Sequence, residues 1–266
     1  MALYFLMRAF VLCAFPFVIT ALVVLSEWAL LFRCGGNVSI LHYSAYNLPP
    51  PNVVWDDALF KYHKKDSNLV LWYFPGNGRG ASHVRWHVGE LYKICNCSVY
   101  VYNPPQCRKS ASFWFNPYTK DLDSLLFFHL DYKKENVLYG ESLGGTYILQ
   151  TYWNLRGRHQ KMITGFIFEN PLTNIPDIMN HYVPWSGVLA LNRWNNTKGM
   201  THIHQSVLFI TSGEDEIVPK SMSTTLMNAC PSITKKQVIL PGAKHGHAMS
   251  HPLYQETVKS WIKYKR

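Results

Sequence analysis

The chain has 266 residues, of which 48% are hydrophobic and 16% are charged, and its formal net charge at pH 7 is +10. This length predicts one domain with a full core plus an appendage, and the chain has no internal repeat and no low-complexity tract. The basic residues lie in short, separated runs without a recognised binding module, so we expect no nucleic-acid partner and favour anionic lipid headgroups or acidic substrates instead.

The N-terminal segment predicts a membrane anchor. Residues 9–26 form an uncharged stretch of 18 residues, which is long enough to span a bilayer. A cleaved signal peptide is the alternative, but its apolar region is usually about 7–15 residues long. Arg8 precedes the stretch and favours a cytoplasmic N-terminus, so we expect a single-pass protein with a lumenal or extracellular domain in an endomembrane such as the endoplasmic reticulum. The expected parts are an anchor (1–33), a linker (34–51) and a catalytic domain (52–266).

The first clear element of that domain is an apolar run at residues 69–74, which predicts a buried strand. The sequence Pro-Gly-Asn-Gly-Arg-Gly follows at residues 75–80 and predicts a tight loop. This loop is the candidate source of a backbone N–H donor, from Asn77.

Residues 140–144 read Gly-Glu-Ser-Leu-Gly, the pattern of a nucleophile elbow. A serine projected from the end of a sheet needs a sharp turn from strand to helix, and the flanking glycines allow the close backbone approach that this turn requires. The pentapeptide alone is weak evidence. A short strand at residues 137–139 and a helical run at residues 146–153 strengthen it, and together they predict Ser142 as a nucleophile.

A carboxylate and a histidine each follow a later strand. Residues 206–211 predict a buried strand, and the loop after it offers Asp215 as the acid, with Glu214 and Glu216 as competitors. A solvated acidic loop is the alternative interpretation of that segment.

The next strand, at residues 237–240, leads to His245, the favoured base, and to His247, the alternative base. In such a site the histidine takes the serine proton, and the acid orients the histidine and stabilises its charged form. Two backbone N–H groups, from Leu143 and Asn77, would form the oxyanion hole.

Short strands alternate with helical stretches, which predicts an α/β fold with a mostly parallel sheet covered on both faces. The last helix should bury one face of the chain, and the residues of that face are Tyr254, Val258, Trp261 and Ile262. Residues 170–206 leave room for a minimal lid only. The apolar segment at residues 178–185 is a candidate lining for an acyl groove.

Four blocks resemble the small membrane-anchored α/β-hydrolase-domain proteins of the bud-emergence-suppressor branch. The blocks occur in the same order as in that family, at residues 73–78, 139–145, 168–176 and 215–219. The resemblance implies an α/β-hydrolase fold and a serine hydrolase of the esterase, lipase or thioesterase type. It also supports the same site residues: Ser142, Asp215 and His245 as the triad, with Asn77 and Leu143 at the oxyanion hole.

Three departures accompany the match. Pro75 replaces the usual histidine before the oxyanion glycine, so the rigidity of this loop would come from proline instead. Ser212 stands where a glycine is common. Gly246 and His247 replace the Asn-Asp that often follows the catalytic histidine.

Asn37, Asn96 and Asn195 lie in glycosylation tripeptides, which would be used if the domain enters a secretory lumen. Cysteine spacing leaves two possibilities open, a local bridge among Cys95, Cys97 and Cys107 or buried free thiols.

We expect no metal and no cofactor. The histidine pairs lack the acidic partner of a zinc motif, as the pair His83 and His87 illustrates. Two alternatives to an esterase remain, a non-catalytic membrane scaffold on a hydrolase fold and a serine peptidase.

Overall fold

The computed structural model describes residues 48–54, 57–108, 120–155, 157–190 and 192–265. Within them, eight strands form one sheet in the order β1-β2-β4-β3-β5-β6-β7-β8. The strands are β1 (Asn52–Val54), β2 (Leu59–Tyr62), β3 (Leu69–Phe74), β4 (Ser98–Tyr102), β5 (Glu135–Glu141), β6 (Ile163–Glu169), β7 (Ser206–Ser212) and β8 (Lys235–Leu240). The α-helices are α1 (Arg85–Ile94), α2 (Lys120–His129), α3 (Leu143–Asn154), α4 (Arg158–Lys161), α5 (Ile175–Tyr182), α6 (Asn196–Met200), α7 (Lys220–Ala229) and α8 (Pro252–Tyr264).

The sheet is parallel from β4 to β8, and β1 and β2 add to its edge in antiparallel orientation. The chain goes from β3 outward to β4 and then returns to β5 on the other side of β3. Ligands of open α/β sheets bind where the chain direction switches in this way, outside the carboxyl ends of the strands. The loop after β3 and the turn after β5 therefore lie where a binding crevice is expected.

Helices cover both faces of the sheet, as predicted. On β3 the side chains alternate, so that Trp72 and Phe74 pack into one core and Leu71 and Tyr73 into the other. The first core also contains buried residues of α2, α3 and α7, and the second contains those of α1 and α8.

The predicted strands and helices are confirmed with small shifts at their ends. Helix α8 buries the four predicted side chains of its apolar face, from Tyr254 to Ile262. Helix α3 begins at Leu143, three residues before the predicted start at Thr146. Sequence patterns underestimate this helix because its first turn contains Gly144 and Gly145, which have low helix propensity.

The predicted anchor, at residues 9–26, lies outside the described residues. In the part of the chain that the structure describes, no helix is both long enough and apolar enough to cross a bilayer.

Candidate active site

Ser142 occupies the turn between β5 and α3, with backbone angles φ 52° and ψ −118°. Positive φ is uncommon outside glycine and costs on the order of 1–3 kcal/mol, so the surrounding structure must hold it in place. Two hydrogen bonds do so: the Ser142 amide donates to the Glu169 carbonyl at 2.7 Å, and the Gly145 amide donates to the Ser142 carbonyl at 3.0 Å. The side chain is nearly enclosed, since Ser142 is 7% exposed.

Two glycines make the turn possible. A Cβ on Gly144 would lie 2.0 Å from the Phe74 carbonyl oxygen, and a Cβ on Gly140 would lie 2.6 Å from the Gly145 Cα. The start of α3 therefore contacts the end of β3 through backbone atoms, with no space for a side chain.

Asp215 and His245 meet at the carboxyl ends of β7 and β8. The His245 Nδ1 lies 2.8 Å and 3.0 Å from the two carboxylate oxygens of Asp215. The Asp215 side chain is almost fully buried, and its Oδ1 also accepts hydrogen bonds from the amides of Ile217 and Val218. Burial acts to lower the pKa of His245, but the hydrogen bond and charge of Asp215 outweigh this effect and raise it.

The competing residues lie elsewhere in the same loops. Glu216 is exposed and accepts a hydrogen bond from the backbone amide of His245 rather than from its ring. His247 is also exposed, and its Nδ1 lies 2.9 Å from the His245 carbonyl oxygen. Among the predicted acids and bases, Asp215 and His245 form the pair.

The histidine loop lies against the nucleophile elbow. A Cβ on Gly246 would lie 3.8 Å from Glu141 Oε1, and Glu141 directly precedes Ser142. The contacts of the described residues do not include a hydrogen bond between Ser142 and His245. Such bonds are often long without substrate and shorten when it binds.

The predicted oxyanion donors lie on two segments, the start of α3 and the loop after β3. Leu143 is the first residue of α3, where helix geometry leaves amides without an intrahelical acceptor. Asn77 itself is exposed, on the otherwise buried or half-buried loop after β3. The neighbouring Gly76 packs closely on the elbow, because a Cβ there would lie 3.5 Å from the Ser142 Cβ.

Beneath the elbow lies a partly buried polar cluster that the sequence patterns did not predict. The Glu141 carboxylate accepts hydrogen bonds from the Tyr73 hydroxyl at 2.5 Å and from Arg79 Nη1 at 2.8 Å. Arg79 Nη1 also lies 3.5 Å from His87 Nε2. Burial lowers the pKa of His87, which favours the neutral ring that can accept from arginine.

A second buried carboxyl group belongs to Glu169, which is joined by hydrogen bonds to Tyr139 and, through it, to Tyr254. Burial, followed by repulsion from Glu141, raises the pKa of Glu169 to about 8. Both effects favour the protonated form of this carboxyl group.

Ser212, a departure from the family pattern, joins three elements at the site. Its amide donates to Asn170 Oδ1 at 2.7 Å, and its hydroxyl accepts from Asn170 Nδ2 at 3.0 Å. The hydroxyl also donates to the Lys244 carbonyl at 3.1 Å, next to His245. A glycine would lack both hydroxyl contacts.

Of the two possibilities for the cysteines, the structure shows free thiols at Cys95 and Cys97. Cys107, in contrast, is disulfide-bonded. A local bridge among these three is therefore wrong. Both thiols lie at the end of α1, where the turn into β4 places Cys97 in the core.

The glycosylation candidates remain predictions. Asn96 is exposed at a positive φ of 47°, and Asn195 is exposed while its side chain caps α6 through the Lys198 amide. Asn37 lies outside the described residues.

The predicted groove segment, residues 178–185, divides into two parts. Ile178 and Met179 are partly buried against the core, whereas Tyr182, Val183 and Trp185 are exposed. Of the described residues, no three His, Cys, Asp or Glu side chains cluster in a way that would hold a metal.

With a serine elbow, an Asp–His pair and a mostly parallel sheet in place, the chain has the α/β-hydrolase fold. An esterase of Pyrococcus furiosus superposes with a TM-score of 0.64 at 14% identity, covering 87% of this chain and 97% of that chain. A soluble variant of the monoglyceride lipase of Saccharomyces cerevisiae superposes with a TM-score of 0.60 at 13% identity, covering 83% and 97%. At such identities the likeness establishes the fold.

Sequence similarity points to a particular branch of that fold. Protein bem46 of Schizosaccharomyces pombe is 26% identical over 207 residues, which are 74% of this chain and 68% of the relative. An uncharacterized membrane protein of Saccharomyces cerevisiae is 27% identical over 135 residues, which are 49% of this chain and 46% of the relative. No family model matches the chain. The resemblance to the bud-emergence-suppressor branch, predicted from four blocks, is confirmed.

Proposed function

We propose that the protein is a membrane-anchored serine hydrolase that cleaves acyl esters or thioesters through Ser142, His245 and Asp215. The observation that carries the proposal is that the strained Ser142 turn and the Asp215–His245 pair both lie at the carboxyl ends of the parallel strands. A serine in an ordinary loop would not need a positive φ or glycines on both sides of its turn.

The chemistry follows the template of serine hydrolases. Ser142 Oγ attacks the acyl carbon while its proton moves to His245 Nε2, and the Leu143 and Asn77 amides stabilise the oxyanion. The carbon–oxygen or carbon–sulfur bond to the leaving group then breaks, and the leaving group takes the proton from His245. Water, activated by His245, hydrolyses the acyl–serine ester, which releases the acid and restores the Ser142 hydroxyl.

Acyl substrates are supported by the surroundings of the site. Six large apolar side chains are exposed at residues 182–189 and on the loop that carries Asp215: Tyr182, Val183, Trp185, Val188, Leu189 and Ile217. The two groups are joined, because the Tyr182 hydroxyl donates to the carbonyls of Glu216 and Ile217. Exposed apolar side chains on two adjoining segments are typical of a surface that contacts lipid or a partner. The esterase and the monoglyceride lipase that share this fold act on substrates of the same class, which supports the proposal.

The apolar stretch at residues 9–26 supports retention at a membrane. The disulfide at Cys107 supports an oxidising compartment, such as the endoplasmic reticulum lumen, for the catalytic domain. A shift in gel mobility on removal of N-linked glycans would test this orientation. An unglycosylated protein whose domain is digested by protease added to the cytoplasmic side would contradict it.

The activity is tested with a fluorophosphonate probe on the full chain in detergent. We expect labelling of the wild type at Ser142 and none of Ser142→Ala, together with turnover of acyl esters or thioesters by the wild type. His245→Ala should abolish turnover, and His247→Ala should retain it. Well-folded wild type that neither reacts nor turns over esters would favour a scaffold, and turnover of peptides instead would favour a peptidase.

A further inference from the structure

The loop that carries Asn77 is held by Arg79. Near its start, Gly76 packs against the elbow, and at its end the Gly80 amide donates to His83 Nδ1 at 3.1 Å. Between these points Arg79 extends under the elbow and donates to Glu141 Oε1 at 2.8 Å. Residues 75–80 thus have a side-chain attachment to the residue that precedes the nucleophile.

The acceptor in this contact is itself fixed. Glu141 is 2% exposed, and its other oxygen accepts from Tyr73, a residue of β3. A buried carboxylate that loses its cation is strongly unfavourable, so the pair resists separation. The pKa of Arg79 reflects the same pairing: burial acts to lower it, but the negative charge of Glu141 outweighs this effect and raises it.

The same guanidinium contacts the histidine loop. A Cβ on Gly246 would lie 3.0 Å from Arg79 Nη2, and Gly246 itself has a φ of 69°. Glycine at this position therefore satisfies the backbone conformation and leaves space for Arg79. One side chain touches the elbow and the histidine loop while belonging to the oxyanion loop.

The alternative role for an arginine beside the site is to bind an anionic group of the substrate. Here the charge of Arg79 is already compensated by Glu141, and Nη1 is engaged with both Glu141 and His87. The side chain is 34% exposed, but its hydrogen-bonding contacts are to Glu141 and His87 of the protein, which favours a positioning role.

We propose that Arg79, paired with Glu141, is a positioning residue that fixes residues 75–80, and with them the Asn77 amide, against the nucleophile elbow. This inference rests on the proposed hydrolase function. Pro75 replaces the histidine that the family places in this loop, and the Arg79–Glu141 pair supplies the attachment between loop and elbow.

The test compares Arg79→Gln, Arg79→Lys, Glu141→Gln and the double variant Arg79→Gln/Glu141→Gln, with the exposed Arg158→Gln as the matched control. A displaced oxyanion donor acts on the transition state more than on substrate binding. On a neutral short-chain ester we expect Arg79→Gln and Glu141→Gln each to lower kcat by about 10- to 100-fold, with KM changed less than about threefold. Arg79→Lys should restore part of kcat.

Because the two residues act as one unit, the double variant should lose no more than the more damaged single variant. Additive losses would overturn the proposal, as would an effect confined to KM for anionic esters. Arg158→Gln should match the wild type.

A second readout does not depend on activity. Amide hydrogen exchange of the peptide covering residues 75–80 should be at least about fivefold faster in Arg79→Gln and Glu141→Gln, with exchange of β7 unchanged. Unchanged exchange in this peptide would overturn the proposal even if kcat falls. A wild type without esterase activity would reject the proposed function, and the exchange data would still decide whether Arg79 fixes the loop.

Discussion

Replacement of Gly144 by alanine tests the packing on which the elbow depends. The new Cβ would lie 2.0 Å from the Phe74 carbonyl oxygen and 2.9 Å from that of Pro75. Real Cβ contacts below about 3.0 Å are essentially absent, so the start of α3 or the end of β3 must move by about 1 Å. Either movement would displace a proposed oxyanion donor, because the Leu143 amide lies at the start of α3 and the Asn77 loop follows β3.

The magnitude follows from two opposing effects. Alanine stabilises a helix by about 1 kcal/mol relative to glycine, whereas overpacking costs about 1–3 kcal/mol and a backbone clash lies at the upper end. We expect a net loss of about 2 kcal/mol and, for a domain of this size, a Tm lower by about 4–8 °C. A displacement of about 1 Å should also slow fluorophosphonate labelling by about 100-fold.

Gly145→Ala is the matched control, because it makes the same change one residue along the same helix. Its Cβ would meet the Phe168 ring edge at 3.2 Å, a contact that a small ring movement relieves. We expect its stability in urea unfolding and its labelling rate to stay close to those of the wild type. Equal damage in both variants, or a Gly144→Ala protein that labels normally with an unchanged Tm, would refute the reasoning.

Three further predictions concern protons and surface. The pKa of Glu169 is about 8 in the folded protein against an ordinary value of 4.5. Between these values the folded state retains a proton that the unfolded chain releases. The free energy of unfolding should therefore decrease as the pH rises from about 5 to about 8. Glu169→Gln should flatten this decline in urea unfolding; parallel curves for both proteins would contradict the assignment. Because Asp215 raises the pKa of His245 above 6.5 and the neutral ring is the base, kcat/KM should rise with pH with an apparent pKa above 6.5, and Asp215→Asn should move that limb to lower pH. Trp185→Ser should lower kcat/KM about tenfold for long-chain esters embedded in vesicles and leave soluble short-chain esters unaffected; equal loss on both would argue against a lipid-facing role.

The sequence allowed prediction of those features that local chain geometry determines. An apolar strand followed by glycines has few structural solutions, which is why the turn at Ser142 and the loop at residues 75–80 were found at the ends of the predicted strands. Asp215 shares its loop with Glu214 and Glu216, and the local sequence does not distinguish the three carboxylates. Only the three-dimensional arrangement shows that Asp215 approaches the ring of His245.

The polar cluster under the elbow had no local signal. Glu141 is separated by 62 residues from Arg79 and by 68 residues from Tyr73, and no spacing rule joins residues so far apart in the sequence. The antiparallel edge formed by β1 and β2 was also missed, since strands of three and four residues give too short an alternation to recognise.

The departures from the family pattern become related once the structure is known. Pro75 lacks a side-chain donor, and Arg79 provides an attachment from the same loop to Glu141. Gly246 leaves room for that arginine beside the histidine loop, and Ser212 joins the loop to the end of β7 through the Lys244 carbonyl. Positions that look like separate deviations in the sequence thus lie around one site. Their contacts connect the loop at residues 75–80, the histidine loop and the end of β7 around Ser142, and such fixed geometry is the condition that preorganised stabilisation of an oxyanion requires.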